Sequence, residues 1–190
     1  MKKLFLLVLM LCCFCTTALA ADAPYVNEKY GFSFVMPGEF KTANFDGPFS
    51  LGAYTNNKIF LQLRYITPQA KYSGPTFGTT TKAEIEDFIK RQRFVTAVNN
   101  NKFAFLQYDT HVTAKKFPYV WAMFVSGMDV GSEHFKTFFL KNYFYNKDII
   151  IEVDFLIPED VMKESVPTIN KITDSFEFKN PATTTTAVAK

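Results

Sequence analysis

His111 and His134 are the only two histidines in the chain, so any acid–base or metal scheme has to be built around one or both. Asp109 stands two residues before His111 in a segment, Phe103 to Thr113, that reads as extended. That spacing puts both side chains on one face of a strand, where a carboxylate can orient an imidazole for proton transfer or for holding a small ligand. The plain reading is a solvated polar face, because a catalytic pair also needs a nucleophile or a substrate pocket. Glu133 and His134 follow Gly131 and Ser132 and read as a turn, and a metal held there needs further ligands from elsewhere. Neither a nucleophile-elbow pattern nor a Gly-rich phosphate loop with its lysine is present. No catalytic residue, metal ligand or cofactor is assigned on these grounds.

Charge and aromatic side chains supply the remaining candidates. Lys90, Arg91 and Arg93, with Lys115 and Lys116, are the densest basic positions and can receive an acidic partner. On a helix or loop the same residues make an ordinary wet face. Tyr143, Phe144 and Tyr145 can line a ligand groove. In a chain with 22 Phe and 9 Tyr, however, the core makes the larger claim on aromatic rings.

These residues must be positioned by one domain, since 190 residues with 48% hydrophobic content suffice for a single core. The first twenty residues do not belong to it. Lys2 and Lys3, the apolar run from Leu4 to Cys15 and the small residues of Ala18-Leu19-Ala20 form a signal-peptide pattern, with cleavage expected after Ala20. An uncleaved anchor is the alternative, but Thr16 and Thr17 cut the run short of the roughly 20 residues a membrane-spanning helix needs. No small residue precedes any of the three cysteines, as a lipoprotein signal requires. Processing therefore removes every cysteine, leaving a domain without disulfides or thiolate metal sites and with no membrane span. It also removes two lysines and lowers the formal charge from +3 to +1, which takes away the electrostatic case for nucleic acid.

From residue 25 the pattern is extended: Tyr25 to Tyr30, Phe32 to Met36, Phe49 to Thr55 and Ile59 to Ile66, with Asn56-Asn57 as a hairpin turn. In the last segment Ile59, Leu61, Leu63 and Tyr65 oppose Gln62 and Arg64, which predicts a strand with one wet face. Residues 67 to 80 read as a loop, and Thr81-Lys82-Ala83-Glu84 fits a capping box opening a helix that ends near Asn99 to Asn101. Period two returns at Phe103 to Thr113, Tyr119 to Met128, Phe135 to Asn142 and, in broken form, Tyr143 to Ile157. These short-linked segments should be antiparallel neighbours. Pro158-Glu159-Asp160 starts a helical stretch through Met162, Val166, Ile169, Ile172 and Phe176, which Pro167 must interrupt or restart. Residues 180 to 190, with Thr183 to Thr186, have nothing to bury and read as a disordered tail beyond a domain of residues 21 to 179.

Tyr30-Gly31-Phe32-Ser33-Phe34-Val35-Met36-Pro37 with Phe40, and the closing run from Ile169 to Phe178, resemble the opening hairpin and final helix of Mog1/PsbP-like domains over residues 25 to 178. The resemblance implies an α+β fold, an α/β/α sandwich around a central antiparallel sheet. It implies no single function, since relatives include an extrinsic photosystem subunit, a partner of a small nuclear GTPase and exported bacterial proteins of unknown role. Together with the export pattern it leads us to expect a non-catalytic binding or accessory protein of the cell envelope. The candidate contacts are Asp109, His111, Lys90, Arg91 and Arg93. The alternative is an enzyme, or a small-ligand or metal-binding protein, that uses Asp109 and His111 beside an aromatic pocket.

Overall fold

The computed structural model describes residues 20–45, 47, 49–66, 87, 103–130, 132–146 and 149–179. Of the predicted leader only Ala20, and of the predicted helix over 81–101 only Asp87, which is helical, fall among them. Lys90, Arg91, Arg93 and the 180–190 tail lie outside the described residues. No helix among those described is long and apolar enough to cross a membrane.

Two antiparallel sheets and one helix described along its whole length make up the described fold, beside the helical Asp87. In the small sheet, β1 (Ala23–Asn27) and β10 (Glu177–Phe178) flank β2 (Phe32–Met36). The large one has seven strands: β3 (Lys41–Thr42), β4 (Ser50–Thr55), β5 (Phe60–Ile66), β6 (Phe103–Val112), β7 (Pro118–Val130), β8 (Glu133–Asn146) and β9 (Ile149–Pro158). Its spatial order is β3-β4-β5-β9-β8-β7-β6, all neighbours antiparallel. The fold class is therefore α+β with a central antiparallel sheet, as the sequence predicts.

Turn chemistry explains the hairpins. Between β4 and β5, Asn56 Oδ1 accepts the amides of Lys58 and Ile59, while Asn57 takes a left-handed φ of 68°. At the β1–β2 turn Gly31 has φ 64°, a conformation that favours glycine, and its amide closes the turn on Asn27 O at 2.9 Å.

A 3-10 turn (Glu159–Val161) leads into α1 (Met162–Asp174), which lies over β2 and β9. Ile169, Ile172 and the following Phe176 enter the core between the sheets, where Phe176 stacks on Phe144 at 3.8 Å between ring centroids and packs beside Phe32. Ser175 Oγ donates to Lys171 O and accepts the amide of Val35, so the helix end is bonded directly to β2.

Three local readings are corrected. Pro167 neither breaks nor restarts α1, which continues through it. The proline is on the exposed side, where water can take the Lys163 carbonyl that loses its helical donor. Pro167→Ala is expected to raise stability by about 1 kcal/mol, short of the full helix-interior difference because of that solvation, and thermal melting checks it. Second, β8 runs without a break through Asn142 and Tyr143, because Tyr143 pairs with both Val120 and Glu152. Third, Glu133 and His134 belong to the start of β8, paired with Val130 and Asp129, rather than to a turn.

Candidate functional site

β6 carries the predicted pair. Asp109 lies opposite Trp121 and His111 opposite Tyr119, so both point to the same face of the sheet, and both are exposed. The imidazole sits edge-on to the Tyr119 ring at 5.7 Å between centroids. Asp109 Oδ1 accepts the amide of its neighbour Thr110 at 2.7 Å. Leu106 and Val112, 47% and 54% exposed, add apolar surface to the same strand. A bulge between Phe105 and Gln107 shifts the register, so Leu106 falls outside the regular alternation.

The aromatic run of β8 does not form one groove. Phe144 faces the core beneath α1, against Tyr119 and Phe176, whereas Tyr143 points to the opposite face with Val120, Ala122, Phe124 and Ile150. Tyr143 and Phe144 are both fully buried, and the alternation of the strand separates them.

That opposite face holds Gln62 and Arg64, which the alternation of β5 assigned to water, together with three more charged residues. Gln62 and Arg64 on β5, Lys141 on β8, and Glu152 and Asp154 on β9 lie side by side across three paired strands. Lys141 Nζ donates to Glu152 Oε1 at 2.8 Å and to Asp154 Oδ2 at 2.7 Å, and Arg64 Nη2 reaches the same Glu152 oxygen at 2.7 Å. Lys141, Glu152 and Asp154 are no more than 3% exposed, and Gln62 is buried too. The predicted wet face of β5 is thus an interior face, tolerated because two cations and two anions neutralise one another there.

Burial and pairing pull against each other within this group. Burial alone raises a carboxylate, yet beside Lys141 and Arg64 the Glu152 carboxyl is held below its ordinary range. For Asp154 burial wins over Lys141, with the Glu152 charge adding to it, and its carboxyl is raised. Lys141 is raised despite its burial, by the Asp154 and Glu152 charges. The signal for this network was present in the sequence: Lys141 is the one charge between Phe138 and Tyr145, and Arg64, Glu152 and Asp154 occupy strands that are otherwise strongly apolar. Among the described residues no three His, Cys, Asp or Glu side chains gather into a metal site.

A seven-stranded antiparallel sheet with a three-stranded sheet and the final helix on one face defines an α+β protein of the Mog1/PsbP-like fold. The solution structure of cyanobacterial PsbP from Synechocystis sp. PCC 6803 matches it at a TM-score of 0.61 and 12% identity, over 86% of this chain and 95% of that one. The crystal structure of the Saccharomyces cerevisiae Ran-binding protein Mog1p matches at a TM-score of 0.51 and 8% identity, over 83% and 95%. In sequence, no protein-family model and no curated protein matches the chain.

Proposed function

We propose that this protein acts by binding, as an exported accessory protein of the cell envelope. The observation that carries the reading is strand β6, whose exposed Asp109 and His111 are accompanied by exposed Leu106 and Val112. The charged side chains of the sheet centre, in contrast, are bonded to one another inside the protein. Two further supports are the export pattern of residues 1–20 and a fold shared with a protein described as Ran-binding. The basic run Lys90, Arg91 and Arg93 offers a second contact, suited to an acidic partner.

Crosslinking and affinity capture of the tagged chain in the envelope of its source cell tests this, with His111→Ala and a charge-reversed 90–93 segment beside the parent. The expected result is a specific protein partner that is lost on charge reversal. A captured small molecule or metal that His111→Ala abolishes, with no protein partner, favours instead a ligand site at Asp109 and His111 beside Tyr119 and Trp121. The register that places those two rings directly across from the pair supports that second reading.

A further inference from the structure

Cys12, Cys13 and Cys15 are the only cysteines, so residues 20–190 hold no thiol to tie the small sheet to the large one. Two phenols meet at that junction instead. Tyr30 belongs to the turn between β1 and β2, and Tyr65 stands near the end of β5; both are half-buried at the rim of the core between the sheets. Their ring centroids are 4.7 Å apart at an interplanar angle of 25°, at the close end of the range for aromatic pairs and near the separation of two directly bonded phenyl rings. Each ring is held from its backbone. The Tyr30 amide donates to Asn27 Oδ1 at 3.1 Å, and Lys179 N–H donates to the neighbouring Gly31 O at 2.7 Å. The Tyr65 amide donates to Phe49 O at 3.0 Å, and the Phe49 ring stands edge-on to Tyr65 at 5.3 Å. Phe49 takes this position at φ 65°, a left-handed conformation that is costly for a bulky residue and persists only where the surroundings over-determine it. The hydroxyls are neighbours as well, since the Tyr30 hydroxyl is the main cause that holds the Tyr65 phenol above its ordinary range. Tyr25 and Tyr54 make the contrasting pair, with rings crossed at 80° and 6.0 Å between centroids.

We propose that Tyr30 and Tyr65 are the site of an oxidative cross-link, a carbon–carbon bond between the two rings that staples the β1–β2 turn to β5. Each phenol gives up one electron and one proton to a one-electron oxidant driven by hydrogen peroxide. The two radicals join through Cε atoms, ortho to the hydroxyls, and the hydrogens on those carbons move to the oxygens to restore two phenols. In sum the pair loses two electrons and two protons, and one hydrogen peroxide takes them up as two waters. The coupling draws on two rings that already lie against each other, so it needs no partner and no open docking surface, and it is independent of the binding role proposed above. The separation and near-parallel planes favour this pair over Tyr25 and Tyr54, whose rings are farther apart and nearly perpendicular. A covalent link between residues distant in sequence restricts the unfolded chain as a disulfide does, which gives a domain without thiols a staple made under the same oxidising conditions.

Treating the purified chain, held dilute, with hydrogen peroxide and a small haem peptide tests the proposal. The expected product is a single chain with dityrosine fluorescence and a mass lower by two hydrogens, in which peptide mapping joins the segment of Tyr30 to that of Tyr65. It should melt about 10 °C higher than the untreated chain. Tyr30→Phe and Tyr65→Phe should each remove the product, whereas Tyr25→Phe should leave it in place. Phenylalanine keeps the ring and deletes only the hydroxyl; circular dichroism shows whether each variant is folded, and the peptide map of the parent decides the matter if one is not. The chain recovered from peroxide-treated source cells should carry the same linked peptides. A parent that forms no cross-link, one that couples only between chains or through other tyrosines, or a yield indifferent to Tyr30→Phe and Tyr65→Phe overturns the inference. So does the absence of the linked peptides from the treated cells.

Discussion

Lys141→Met is expected to destabilise the protein by about 3 to 5 kcal/mol, the range for breaking a buried ion pair from one side. The lysine donates to both Glu152 and Asp154 at 2.7 to 2.8 Å, and no water reaches the two carboxylates to replace it. Arg64 remains bonded to Glu152 but is itself 29% exposed along its side chain, which leaves Asp154 without a cation at bonding distance. Chemical denaturation at neutral pH measures the loss. The cost should shrink as the pH falls, because carboxylates left buried and unpaired have raised pKa values and the folded state then binds protons more tightly than the unfolded one. In the parent the two acids have opposite senses. Glu152, held low, contributes stability that is present above its unfolded pKa and lost as the pH falls through its folded one. Asp154, held high, is relieved by protonation. Parent and Lys141→Met stabilities should therefore converge on acidification, and curves that stay parallel down through the carboxylate range would show that Lys141 matters for its packing alone. Replacing the group more fully, as Lys141→Met/Glu152→Leu/Asp154→Leu, should recover most of the lost stability. The parent network also leaves Gln62 Nε2, Arg64 Nε, Glu152 Oε2 and Asp154 Oδ1 without hydrogen-bond partners among the described residues, so it does not exploit every polar atom it buries.

Phe176→Ala should cost a similar amount, about 3 to 5 kcal/mol. Its ring has no exposed surface and joins the two sheets: Phe144 of the large sheet lies on one side of it, Phe32 and Phe34 of the small one within 5.4 to 6.4 Å, and Phe178 edge-on at 5.2 Å. Removing it leaves a cavity bounded by elements from residues 32 to 178, which the backbone cannot close without moving α1 away from β2. The expected signature is a lowered melting temperature with the secondary structure intact. Phe176→Leu, which fills most of the space, should restore a large part of the difference. A near-neutral Phe176→Ala would mean that the small sheet and helix are held to the large sheet by other contacts. The bond from the Val35 amide to Ser175 Oγ would then be the first place to look.

Much of this architecture was legible along the chain, because strand alternation and turn chemistry are local. Ile149, Ile151, Val153, Phe155 and Ile157 mark the face of β9 that packs toward α1 before any partner is known, and Asn56-Asn57 mark the hairpin. The pairing of Asp109 with His111 on one face likewise follows from spacing alone. What alternation does not contain is whether the second face of a strand meets water. Gln62, Arg64, Glu152 and Asp154 have the spacing of a solvated face, and only the order β5-β9-β8 brings Lys141 between the two acids and makes their burial affordable. Alternation separates the adjacent rings of Tyr143 and Phe144, but that both of their faces are buried was decided by the neighbours β8 acquires. The turn at Thr113 to Phe117 likewise set which main-chain groups of β6 face β7. Spacing determined the faces of this protein; long-range pairing determined which of those faces is inside, because burial depends on the neighbours a strand acquires and not on its own residues.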